Sequence, residues 1–169
     1  MAKARPTFTT KRLTLKPLTL GDEDAIEHLL KDPRIARMTT SISFPNPPGA
    51  TRGFLERVTD PANPDISWAI RLNDTCIGVI TLRPGGGLGY WLGPDHWGQG
   101  LTTEAGLAIA AYAKACGTPR IHAQHFIDNP ASGRVMQKLG MTLKGPGTPM
   151  FCPARGETVA QLEYERRHE

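Results

Sequence analysis

Residues 88–106 read LGYWLGPDHWGQGLTTEAG. The run through Tyr90, Trp91 and Leu92 is apolar and aromatic, as a buried strand would be. Gly93 to Gly100 is polar and rich in glycine. From there Leu101, Ala105, Ala108, Ile109, Tyr112 and Cys116 recur at helical spacing, and Gly117 stands where a helix stops. A strand that passes through a glycine turn into a helix is a cradle for an anion. The first N–H groups of a helix lack internal partners, its dipole favours negative charge there, and glycine lets backbone approach a ligand closely. Without such a ligand, Gly98 and Gly100 would simply make a tight turn.

Two nucleotide loops can be tested against the stretch. A Walker A loop needs Lys-Ser or Lys-Thr after its second glycine, and Leu101-Thr102 stands there. A Rossmann loop needs a third small residue where Thr103 lies, and an acid about twenty positions on, where Arg120, Ile121 and His122 lie. The preceding strands also read as antiparallel hairpins rather than as a βαβ unit, so the Rossmann match is partial, and a nucleotide-dependent oxidoreductase stays a third alternative to be told apart by ligand choice.

Working outward, Arg12–Leu18 alternates as a short strand, broken by Pro17, and reads as an edge strand. Thr19-Leu20-Gly21-Asp22 resembles a capping box ahead of a helix that carries Ile26, Leu29 and Leu30 on one face. Asp32-Pro33 ends that helix and starts a short one through Arg37. Thr39–Gly49, with three prolines, reads as an extended loop, and Ala50–Val58 as a short helix. SWAIRL and TCIGVITL, joined by Asn73-Asp74, form a hairpin pattern. Arg120–Phe126 reads as a strand. Asn129-Pro130 opens a helix with Val135, Met136 and Leu139 inward and Gly140 at its end. Met141–Leu143 and Thr158–Glu165 read as a final strand pair joined by the loop Gly145–Glu157.

Composition narrows the class. The chain has 169 residues, 39% hydrophobic and 21% charged, which suits one folded domain over 1–169. The net charge of +4 is scattered rather than clustered, so a small anion is a better partner than nucleic acid. Cys76, Cys116 and Cys152 are odd in number and far apart, which suggests neither a disulfide framework nor a zinc site and suits a reducing cytoplasm. No histidine pair has metal-ligand spacing, so no metal is expected. No stretch has the length of a membrane helix. Oligomeric state, monomer or homodimer, is left open.

GYWLGPDHWGQGLTTEA resembles the coenzyme A loop of the GNAT acetyltransferase superfamily, in the branch of the ribosomal-protein N-terminal acetyltransferases. TKRLTLKPLTLGDEDAI, WAIRLNDTCIGVITL and DNPASGRVMQKLGM resemble that branch's opening strand and helix, its central hairpin, and its Asn-Pro-x-Ser helix. The four segments lie in the family's order and cover nearly the whole chain. The resemblance implies an α/β GNAT fold: a central mixed, mostly antiparallel sheet splayed at its middle strands, with helices on both faces. It also implies acetyl-CoA as co-substrate and a primary amine, from a protein N-terminus or a small molecule, as acceptor. A non-catalytic acyl-CoA sensor is the alternative.

The family's loop pattern places its two small residues on Gly98 and Gly100. Asp95 falls where Gln or Arg is usual, so its carboxylate is expected to point outward. The resemblance then gives the phosphates to the amides of Gly98, Gln99, Gly100, Leu101 and Thr102, with help from the hydroxyls of Thr102 and Thr103. Trp91 and Trp97 join this cofactor set. Asn129 would hold the pantetheine arm and Ser132 would protonate the departing thiolate, although an Asn-Pro helix start with a first-turn serine explains both residues without a ligand. The N–H of Leu92 would polarise the thioester carbonyl, with the Tyr90 side chain nearby. Many relatives carry a Glu where this chain has Gly87, so no carboxylate base is assigned, and His96 and His125 are the candidate bases. Thr39–Gly49, Ala50–Val58 and Gly145–Glu157 would wall the acceptor.

Overall fold

The computed structural model describes residues 5–169. The central hairpin pairs β3 (Ile66–Leu72) with β4 (Thr75–Leu82). Asn73 and Asp74 both take positive φ, 48° and 63°, as a two-residue turn between twisted strands requires. Around it lie β1 (Phe8–Thr9), β2 (Leu13–Pro17) and β5 (Leu88–Leu92), giving an antiparallel sheet in the order β1-β2-β3-β4-β5. A second antiparallel sheet, β6-β10-β7, is built from β6 (Arg120–Phe126), β7 (Thr142–Pro146) and β10 (Gln161–Arg167).

Helices cover both faces. α1 (Glu23–Leu29), α2 (Pro33–Ala36) and α3 (Ala50–Thr59) supply Ile26, Ile35, Leu55 and Val58 to one core, with Ala69, Cys76 and Val79 from the sheet. α4 (Leu101–Ala115) and α5 (Pro130–Lys138) close the opposite core, where Leu15, Trp68, Ile80 and Ile109 are fully buried. A β-bulge lets one strand serve both cores. Ile70 pairs with Gly78 but Arg71 pairs with Cys76, so Ile77 is an extra residue and the inward alternation of β4 reverses across it. Gly78 is required beside the bulge, because a Cβ there would lie 2.4 Å from the Trp91 carbonyl oxygen.

Several expectations need correction. The Arg12–Leu18 strand is not an edge: Phe8 and Thr9 pair outside it, too short a segment to show a period. The Thr19–Asp22 capping box and the Asp32 cap on Arg34 N–H are present as expected. The Gly145–Glu157 segment is not a plain loop, since β8 (Met150–Cys152) and β9 (Glu157–Val159) form a small hairpin that buries Cys152 with Phe126. The final strand pair shifts accordingly. Met141 is buried ahead of β7, and the Thr158–Glu165 strand divides into β9 and β10. On α4 the buried stripe runs through Ala105, Gly106, Ile109, Ala110 and Ala113, and Cys116 is exposed. Small residues on that face let the helix sit close to the sheet, which a periodicity of large side chains does not register.

Candidate functional site

The two sheets touch at one point and then separate. Gly87, just ahead of β5, forms a single parallel bridge with His122 of β6. Gly86 makes this approach possible: its φ is 92°, and a Cβ would lie 1.9 Å from the Arg120 carbonyl oxygen. Beyond the bridge the strands diverge into a V-shaped cleft. Two hydrogen bonds fix which edge groups of β5 face it. Gly93 N–H donates to Ile77 O and Arg83 N–H to Gly87 O, both at 2.7 Å, so the odd-numbered residues of β5 face β4. In an antiparallel pair this alternates, so Leu88, Tyr90 and Leu92 turn their backbone groups to the cleft. The Leu92 carbonyl accepts from Trp97 Nε1 at 2.7 Å, while its N–H is left facing the cleft.

Across the cleft, α5 begins. The Asn129 side chain caps it by accepting from Ser132 N–H at 3.4 Å. The Tyr90 hydroxyl lies 2.9 Å from Ser132 Oγ and 3.1 Å from the Ser132 carbonyl oxygen. The carbonyl can only accept, so when the phenol proton goes there, the serine proton points to the phenol oxygen. Burial pushes the Tyr90 phenol up to about 12, partly offset by the Ser132 hydrogen bond, so it is neutral and a donor at physiological pH. His125 lies against the next residue of the same helix turn. A Cβ on Gly133 would come within 2.8 Å of His125 Nε2, so only glycine fits there. The His125 Nδ1 is 2.6 Å from Phe126 O and therefore carries a proton, while its buried Nε2 has no hydrogen-bond partner among the described residues.

The glycine loop ends on the open start of α4. Gly98 and Gly100 take φ of 73° and 74°, Gly100 is the N-cap, and no side chain caps the helix. A Cβ on Gly98 would meet nothing within 4 Å. Leu101 is buried in the core, Thr102 and Thr103 are half-buried, and Gly98, Gln99 and Asp95 are exposed. The Trp97 ring is also exposed and carries the Arg34 guanidinium 5.6 Å from its centre. Arg12 braces the turn from β2's side: Nη1 donates to Gln99 O at 2.8 Å and Nε pairs with Glu104 at 2.7 Å.

The profile of the acetyltransferase (GNAT) domain matches residues 12–142. The chain belongs to the GNAT acetyltransferase family. A relative from Bacillus subtilis (strain 168), described as the uncharacterized N-acetyltransferase YoaA, is 28% identical over 152 residues, covering 83% of this chain and 85% of that protein. Among solved structures, the microcin C7 self-immunity acetyltransferase MccE, crystallised with acetyl-CoA and AMP, superposes with a TM-score of 0.82 at 20% identity over 94% of this chain and 93% of its own. An acetyltransferase from Salmonella typhimurium, which modifies the N-terminal serine of ribosomal protein L7/L12, superposes with a TM-score of 0.81 at 19% identity over 95% of this chain and 97% of its own. This GNAT protein is an acetyl-CoA-dependent N-acetyltransferase.

The residues present fit that co-substrate. The uncapped α4 start and the left-handed glycines suit a pyrophosphate, and the free edge of β5 suits the amides of pantetheine. The structure brings Tyr90 and Asn129 together at Ser132, with the Leu92 N–H on the free edge of β5 and residues 98–103 forming the turn into α4. Trp91 is half-buried on the face opposite Tyr90, where it packs beside α1 and α3 and lines the cavity next to the cleft. One sequence expectation is not met: His96 lines a separate depression with His28, Asp32 and Arg34 and is not among the residues lining the cleft.

Three residues of the GNAT cleft escaped sequence reading. Arg12 reaches the loop from 87 positions away in sequence. His122 lies at the vertex, its Nε2 3.6 Å from where a Gly87 Cβ would stand, and so occupies the space beside Gly87. Burial and then Arg120 hold its imidazole below the ordinary 6.5, so it is neutral at pH 7. Arg83 lies over Gly89, whose Cβ would be 2.9 Å from Nη1. The only available signal was the turn Pro84–Gly87 with its three consecutive glycines, which hints at a close approach but not at what approaches.

Proposed function

We propose that the protein moves acetyl from acetyl-CoA to a primary amine, a protein N-terminus or a small molecule, by direct attack through a tetrahedral intermediate. The Tyr90–Ser132 hydroxyl pair facing the free edge of β5 is the observation that carries this reading. The loop amides from Gly98 to Thr102 and the Thr102 and Thr103 hydroxyls would hold the phosphates, with Arg12 keeping the Gln99 carbonyl turned away from them. Asn129, Trp97 and the β5 edge would align the pantetheine arm. The Leu92 N–H is the donor for the developing oxyanion; removing one such donor commonly costs about 10²–10³ in rate.

The amine must lose a proton to attack. His122 Nε2, neutral and at the vertex of the cleft, is our candidate base, directly or through water. As the N–C bond forms and the C–S bond breaks, the Tyr90–Ser132 pair supplies a proton to the thiolate, and solvent restores it. The part-buried hydroxyl pair on Tyr90 and Ser132 supports transfer over a binding-only acyl-CoA sensor, which has no use for a proton donor. The three free thiols, two of them buried, support a reducing compartment such as the cytoplasm.

Incubation with acetyl-CoA and a panel of peptides, amino acids, polyamines and aminoglycosides tests the reading. One acetyl on nitrogen, seen by mass spectrometry with stoichiometric free CoA, is expected for at least one acceptor. Tight acetyl-CoA binding with no amine acetylated would favour the sensor instead.

A further inference from the structure

The acceptor side of the cleft opens into a cavity of about 910 Å³ between β5, β6, α3 and the Thr39–Pro47 segment. Its charges are unbalanced. Asp65 is the one carboxylate among the lining residues, and Arg83 Nε lies 4.0 Å from it. Arg57 lies at the wall with its guanidinium 5.6 Å from the Phe54 ring centre and no carboxylate partner among the described residues. The remaining polar lining carries hydroxyls, amides and the imidazoles of His122 and His125, and no further carboxylate. One pair of hydroxyls, Ser67 and Thr81, is already satisfied at 2.8 Å.

Resting on the acetyl-transfer reading, we propose that the acceptor is a primary amine that also carries an anionic group, a carboxylate or phosphate, bound by Arg83 and Arg57. A polycation would meet two guanidinium groups and a single carboxylate that is already engaged, so like-charge contact would exclude it. An anion near the amine would replace the solvent around both arginines. Arg83 is the nearer group to the chemistry, because its guanidinium lies against Gly89, next to Tyr90.

Matched acceptors test this. The kcat/KM values would be measured for phenylalanine against phenylalaninamide, for O-phosphoserine against serinamide, for a peptide with aspartate at its second position against its asparagine counterpart, and for spermidine. At least one anionic member should exceed its neutral partner by about tenfold, and spermidine should be the poorest. The arm with the largest ratio tells free carboxylate, phosphate and acidic peptide apart. In Arg83→Gln and Arg57→Gln the anion-to-neutral ratio should collapse, with the acetyl-CoA KM unchanged, and Arg83→Lys should restore part of it. Neutral amides or spermidine turning over as well as the acids, or a ratio untouched by both substitutions, overturns the inference and leaves acetyl transfer standing. Bound acetyl-CoA with no acceptor acetylated in any arm overturns both.

Discussion

The Tyr90 hydroxyl, on the strand that edges the first sheet, stands 2.9 Å from Ser132 Oγ on the helix that packs against the second. The two hydroxyls are the one polar link described across the cleft where a thioester would sit, and burial keeps the phenol neutral. If they act as one donor, Ser132→Ala and Tyr90→Phe should each lower kcat about 10–100-fold, or about 1.4–2.7 kcal/mol of barrier. The double variant should lose little more than the worse single, because groups that act as a unit are not additive. The acetyl-CoA KM should change little. Measuring kcat and Tm on each preparation checks this; a loss of Tm with kcat within twofold of wild type would leave Ser132 with only its place in the helix start.

Gly100 tests the loop. Its positive φ makes Ala a poor probe, since strain alone would lower stability. Asn and Asp both tolerate the left-handed region and differ by one charge. Gly100→Asp should weaken acetyl-CoA binding at least tenfold relative to Gly100→Asn, about 1.4 kcal/mol, by placing an anion at the phosphate cradle. Isothermal titration on both folded variants reads the difference, and equal affinities would remove the loop from the site.

His122 sets a pH signature. Burial and Arg120 lower its pKa in the folded protein, so the imidazole stays unprotonated to a more acid pH than a free one. A base of this kind is active above its pKa and lost below it. The acid limb of kcat/KM should therefore have its midpoint below the ordinary imidazole value of 6.5. In His122→Gln that limb should vanish and the plateau should fall about 10²–10⁴-fold. A profile unchanged by the substitution would assign the proton to another group, and His125→Gln measured alongside would identify it if His125 is that group.

Gly78 tests the fold behind the site. A Cβ there would press on the Trp91 carbonyl at 2.4 Å, and backbone cannot move aside as a side chain tip can. Gly78→Ala should cost about 1–3 kcal/mol, the range of overpacked sites. Denaturant unfolding at unchanged m-value checks it. Because β5 carries Tyr90 and Leu92, kcat should fall with stability in this variant.

The sequence by itself determined the local elements and the glycine turn that opens α4. Apolar period marks β3, β4, β6 and the long helices, and Asn-Asp, Asp-Pro and Asn-Pro fix turn and helix starts through chemistry that acts within three or four residues. Gly98 and Gly100 signalled an open helix start because left-handed backbone strongly favours glycine at such positions. The Tyr90–Ser132 contact spans 42 residues and the Arg12 brace 87, and no local pattern encodes such pairings. Only the tertiary structure set the bulge at Ile77, which decides the faces of β4. Only it placed His122 rather than His96 at the vertex and turned Trp91 away from Tyr90. Those facts depend on strand register and on the angle at which two sheets part. Both are settled by packing on two cores at once, so they cannot be read from any one segment.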